Sequence, residues 1–252
     1  MKKYINWRIF FLLLILSLLS VICVLPYVLT VQSDVIKQIQ IPIEQLLLVQ
    51  IVQTIILFSI AIFFGLFLTK KINFQLPLIE TILEKKGYKK ILKTILWQSI
   101  FLGILTAVII YLTDYLFSHF GAGISTHQPI APIWQTLLAS FYGGITEEIL
   151  MRLFVMTFFI WIGMKIFGQN KPSRTGIIVS IILASVIFGL GHLPITASVT
   201  KIDPLVLSRA VVLNGIGGIV FGWLFWKKGL ESAMIAHFTT DIFLLSLLPL
   251  FK

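Results

Sequence analysis

Seven apolar runs, near residues 9–31, 45–69, 94–117, 133–165, 176–193, 204–226 and 230–250, divide the chain, and short polar breaks separate them. A helix needs about 20 apolar residues to cross the hydrocarbon core of a bilayer. The pattern therefore predicts an all-α, polytopic transmembrane helical bundle of seven to eight spans. The fourth run is overlong: residues 133–165 would extend roughly 50 Å at 1.5 Å per residue. Gly143-Gly144 is expected to break it into a short outer helix and a longer inner one. Re-entry of that outer piece would make the eighth span. The first run follows Lys2, Lys3 and Arg8, as in a signal peptide, but no small-x-small cleavage site closes it. It is read as a retained transmembrane helix.

Composition supports the membrane reading. Of 252 residues, 58% are hydrophobic and only 12% are charged, against about half and about a quarter in soluble domains. The net charge of +10 would point to nucleic acid in a soluble chain. Here the Lys and Arg residues fall mainly in alternate loops, so topology explains them and no nucleic-acid partner is expected. Loop 70–93 holds seven lysines, whereas loop 118–132 has no Lys or Arg. This alternation predicts a cytoplasmic N-terminus and a C-terminus on the outside. Loop 70–93 reads as a positive-inside loop, with an amphipathic helix lying on anionic lipid as the other reading. The one cysteine, Cys23, lies within the first run and reads as a small apolar filler. It excludes an intrachain disulfide and a cysteine metal site. No internal repeat, low-complexity tract or soluble domain is evident.

Against this background, the segment Phe141-Tyr-Gly-Gly-Ile-Thr-Glu147-Glu148-Ile-Leu-Met-Arg152 is costly, because it places three ionisable groups in hydrocarbon. Such residues mark a functional site by default. Glu148 and Arg152 are four apart, so they share a helix face and can pair. Glu147 points about 100° away around the helix and stays unpaired by Arg152. A carboxylate in that position suits a general base or acid. Two later segments add polar groups. Phe188-Gly-Leu-Gly-His192-Leu-Pro194 ends the fifth run, and histidine exchanges protons near neutral pH. Gly189 and Gly191 would let another backbone come close, and Pro194 would stop the helix. In the seventh run, His237 and Asp241 are four apart and share a face. Asp241 could orient His237, accept its N–H, or face the same substrate. Glu147, His192, His237 and Asp241 together suit general-base chemistry, divalent-metal ligation through two histidines and a carboxylate, or a proton relay.

The order Glu147-Glu148-x-x-x-Arg152, Phe188-x-x-x-His192, His237-x-x-x-Asp241 resembles the three-motif signature of the CPBP (Abi) family, the CAAX-processing and bacteriocin-processing intramembrane proteases. The Gly-Leu-Gly-His setting and the run Gly217-Gly-Ile-Val-Phe-Gly222 before Lys227-Lys228-Gly229 also resemble it. The resemblance covers roughly residues 134–245. It divides the chain into N-terminal transmembrane helices with a lysine-rich cytoplasmic loop (1–132) and catalytic-core-like helices (133–252). It implies an intramembrane endopeptidase acting on a peptide or membrane-protein substrate. Glu147 and His192 would activate a water, and His237 and Asp241 would stabilise the oxyanion. Glu148, Arg152 and Phe188 would support the site. Asn is usual where this chain has Asp241; an ionised carboxylate cannot donate to an oxyanion. No cofactor is expected. The alternative is zinc held by Glu147, His192 and His237.

Two further readings remain at this point. One is a non-enzymatic bacteriocin-immunity or scaffold protein on the same fold. The other is an ion-coupled transporter, disfavoured by the lack of two matching halves. The short loops, the lack of organellar signals and the resemblance place the chain in a bacterial cell membrane. Counted from the ends of their runs, Glu147 and His192 lie roughly 20–25 Å deep but His237 only about 12 Å. Arg209 is expected to snorkel to the interface, Asn214 to serve close helix packing, and His119 and His127 to be solvated in a loop.

Overall fold

A computed structural model describes residues 5–38, 41–122 and 131–248. Among them all regular structure is helical, and no strand is present. The order is α1 (Trp7–Val31), α2 (Ser33–Gln38), α3 (Ile43–Ile72), α4 (Pro77–Leu83), α5 (Lys89–Phe117), α6 (Ile133–Phe141), α7 (Thr157–Ile166), α8 (Arg174–Gly191), α9 (Leu193–Ala197), α10 (Pro204–Lys228) and α11 (Leu230–Asp241). Among the described residues, seven helical stretches are long and apolar enough to cross a membrane: Trp7–Val31, Ile43–Ile72, Lys89–Gly121, Ile133–Ile166, Arg174–Ala197, Pro204–Lys228 and Leu230–Leu247.

The helix starts follow local chemistry. The Ser173 hydroxyl accepts the Gly176 N–H at the start of α8. Asp203 accepts the N–H groups of Leu205 and Val206, both at 2.8 Å, and Pro204 opens α10. Both are standard N-terminal caps, and proline suits a position whose N–H has no partner. Along α1, Phe11, Ile15, Leu19 and Ile22 are exposed at spacings of four, four and three, while Leu13, Ser17 and Ser20 face inward. The exposed apolar face is the one that fits lipid. Packing inside rests on van der Waals fit, because lipid tails are as apolar as leucine. The core joins Leu13 of α1, Ile62 and Leu66 of α3, Phe221 and Phe225 of α10, and Ile149, Leu153 and Met156 of the fourth span.

That fourth span does not break at Gly143-Gly144. It runs on without interruption, but Tyr142–Glu147 and Ile149–Met156 are π-helical. The glycines serve close approach instead. A Cβ on Gly143 would strike the Asp241 carboxylate, and one on Gly144 would come within 2.8 Å of Phe238. The span therefore stays whole, with α11 lying directly against it. π-helical insertions of this kind are frequent at functional sites.

Loop 70–93 contains a short helix, α4, that docks on protein. Ile79 and Leu83 pack against the core, and Glu231 on α11 accepts the Ile79 N–H at 2.7 Å. Between α10 and α11 the chain turns at Gly229, whose φ of 97° and contact with Pro77 leave no room for a side chain. α11 thus begins beneath α4, with Leu230 and Ser232 buried.

Candidate active site

Three residues form a sealed cluster. The side chains of Glu148, Arg152 and His237 are 0%, 2% and 6% exposed. Glu148 Oε2 lies 3.3 Å from Arg152 Nε, the expected i,i+4 pair. Its other oxygen, Oε1, lies 2.7 Å from His237 Nδ1. A carboxylate paired with arginine only accepts, so His237 donates from Nδ1 and turns Nε2 toward the cavity. The Arg152 guanidinium packs against the rings of Phe188 and Phe221, 5.1 and 5.5 Å from their centroids. Arg152 Nη2 lies 3.4 Å from the Gly218 carbonyl. These contacts offset the cost of burying the ions.

The open side of the site consists of Glu147, His192 and Asp241, which are 21%, 32% and 19% exposed. Glu147 Oε1 is 4.0 Å from His192 Nε2, and Oε2 is 3.7 Å from His237 Nε2. The consecutive glutamates therefore reach the two opposite nitrogens of the one His237 ring. His192 is oriented by its Nδ1, 2.8 Å from the Phe188 carbonyl, so its Nε2 faces Glu147. Phe188 stands edge-on to both imidazoles, at 4.8 Å from His192 and 5.8 Å from His237. Asp241 Oδ1 is 3.7 Å from His237 Nε2, beyond hydrogen-bond length. Asp241 therefore does not orient His237; Glu148 does.

All of the sequence-predicted site residues come together, despite the unequal depths expected from span ends. α4 packs over the first turn of α11, where Glu231 accepts the Ile79 N–H and Leu230 is buried.

Several contributors were not visible in the sequence. Phe221 stacks on His237 at 4.5 Å and 21°; it lies in the glycine-rich run 217–222, but as one of 21 phenylalanines it carried no sign of this role. Ser20 of α1 contacts Thr146, adjacent to Glu147, through their hydroxyls, a pairing 126 residues apart in the chain. Arg209 pairs within the protein: its Nε and Nη2 lie 2.7 and 2.6 Å from Asp114 Oδ1 on α5. Both side chains are partly exposed. The pair closes a cavity of about 290 Å³ that extends to His237 and Asp241 and is also lined by Asn214. Of the polar loop residues, His119 is exposed and His127 lies outside the described residues.

Zinc ligation by Glu147, His192 and His237 is chemically reasonable by residue type, but the arrangement does not fit it. Among the described residues no group of three or more His, Cys, Asp or Glu side chains is placed to hold a metal ion.

A helical membrane bundle with carboxylates, histidines and an arginine gathered at its centre is a polytopic protein built around an intramembrane polar site. Residues 129–243 match the family described as type II CAAX prenyl endopeptidase, Rce1-like. The chain carries a domain of that CAAX-protease (CPBP/Abi) family. No curated protein matches the chain, and no solved structure does.

Proposed function

We propose that the protein is a bacterial intramembrane endopeptidase of the CAAX-protease type. It would cleave a peptide or membrane-protein substrate at the polar site where the fourth, fifth and seventh spans meet, beside the cavity that reaches His237 and Asp241. Glu147 is the general base. The observation that carries this reading is its partly exposed carboxylate, aimed between the Nε2 atoms of His192 and His237 at 4.0 and 3.7 Å. A water making two hydrogen bonds of about 2.8 Å each spans such a gap at roughly 80–90°, a tight but hydrogen-bonded arrangement.

In the reaction, Glu147 accepts a proton from this water while its oxygen attacks the substrate carbonyl carbon. The carbonyl π electrons move to oxygen. A protonated His237, held through Nδ1 by Glu148, donates from Nε2 to that oxyanion. Collapse of the tetrahedral intermediate breaks the C–N bond, and the Glu147 carboxyl delivers its proton to the leaving nitrogen. His192 aligns the water. Asp241, placed where the family usually has Asn, aids the oxyanion only in its protonated form; ionised, it balances the charge of His237.

The charge pattern of the loops supports a cytoplasmic N-terminus. The family name does not fix the substrate, because bacteria generally lack prenylated CAAX proteins. Comparative membrane peptidomics of cells carrying the native protein or Glu147→Ala tests the reading. Peptides that disappear in the variant at equal protein level are expected. Identical peptidomes, with any phenotype retained, would point to a scaffold instead.

A further inference from the structure

At the corner where α10 turns into α11, the described residues enclose a second cavity of about 400 Å³, within the range of small-ligand sites. Two chemistries meet in it. Phe74, Phe225 and Trp226 form an aromatic wall, and Lys90, Lys227 and Lys228 supply three cations. No Asp or Glu is among its lining residues. None of the three lysines makes an ion pair with a described residue. Lys227 Nζ lies 3.5 Å over the Trp226 ring. Of the nearby carboxylates, Glu231 accepts the Ile79 N–H through one oxygen, Glu84 pairs with Lys86, and Glu80 lines the adjoining pocket that shares Phe74. The cavity is therefore a concentration of unneutralised positive charge beside an apolar wall.

Its level in the fold narrows the ligand. The ends of the apolar stretches Ile43–Ile72 and Pro204–Lys228 and the starts of Lys89–Gly121 and Leu230–Leu247 meet here. That is the height at which lipid phosphates and interfacial tryptophan sit. Basic pockets between helices at this level suit anionic headgroups. A soluble phosphate would gain nothing from the aromatic wall.

We propose that this cavity binds an anionic glycerophospholipid. Its phosphate is held by Lys90, Lys227 and Lys228, and its glycerol and upper acyl carbons lie against Phe74 and Trp226. The site is separate from the Glu–His cluster, and the proposal does not depend on proteolysis.

The test uses the purified full chain in detergent. Retained lipid is counted by native mass spectrometry, and melting is followed during titration with phosphatidylglycerol, phosphatidylcholine or inorganic phosphate. Phosphatidylglycerol alone should raise the melting temperature and remain bound. The variant K90Q/K227Q/K228Q should retain it roughly 100-fold more weakly, from the contribution of each lysine near an anionic surface. The control K85Q/K89Q/K93Q removes the same charge from the same end without touching the cavity lining, and should retain lipid as the native protein does. Equal retention by the cavity variant, equal loss in the control, or equal protection by phosphate or phosphatidylcholine overturns the proposal. If the triple variant does not fold, the native titration decides: indifference between the two lipids overturns it.

Discussion

The two halves of the polar cluster differ in what surrounds their charges. On the sealed side, Glu148 pairs with both Arg152 and His237 Nδ1 and meets almost no solvent, although Glu148 Oε2 and Arg152 Nη1 make no hydrogen bond. On the open side, Glu147 stays 4.0 Å from His192, both Glu147 and Asp241 stay 3.7 Å from His237 Nε2, and the three side chains keep about a fifth to a third of their surface accessible. Neighbouring glutamates thus have opposite situations. One is committed to partners inside the protein, and the other is left with its oxygens available. Burial with ionic partners suits a scaffold, whereas proximity without close pairing suits chemistry on a third party. His237 belongs to both halves, with one nitrogen in each.

This division predicts that mutations will sort by side. After loss of the base itself, the largest effect on activity falls on the open side: His192→Ala should lower cleavage by about 10²-fold, the scale of a misplaced reacting group. Its melting temperature in detergent should stay close to that of the native protein. On the sealed side, Arg152→Ala leaves Glu148 buried without its cation. Breaking such a pair costs about 3–5 kcal/mol, so the protein should accumulate poorly and melt early, losing activity as a consequence. A stable Arg152→Ala protein would mean that the sealed half is not structural. The boundary between the halves is probed by Gly143→Ala, whose methyl would strike the Asp241 carboxylate. Overpacking of that kind costs roughly 1–3 kcal/mol, and cleavage should fall more steeply than thermal stability because the displaced groups are those of the open side. Least affected should be Ser20→Ala. Removing its hydroxyl contact with Thr146 should cost about 0.6 kcal/mol, the average for interhelical hydrogen bonds in a membrane, visible as a small shift in melting.

Much of this arrangement was legible in the sequence, for identifiable reasons. Spans read well because hydropathy is a local property and each crossing is long. The i,i+4 pairing of Glu148 with Arg152 read well because helical spacing fixes it. The second partner of Glu148 did not, since His237 lies 89 residues away and no local rule brings it to Nδ1 rather than leaving that role to Asp241. Gly143-Gly144 was misread as a break, because a glycine pair has the same local signature whether it ends a helix or admits a neighbour. The closeness of α11 decided the matter. The partner of Arg209 was not legible for a similar reason, since Asp114 lies on another helix. Phe221 stood in the glycine-rich run 217–222, but its role did not show, because one aromatic among many gains meaning only by stacking on an imidazole.

The central claim is that Glu147 acts chemically while its neighbour Glu148 holds the fold. It is tested most directly by the time course of cleavage by purified Glu147→Gln protein, whose melting temperature is taken on the same sample. Native-like melting with no detectable product is the expected result. Native-like melting with cleavage at the native rate would contradict the account.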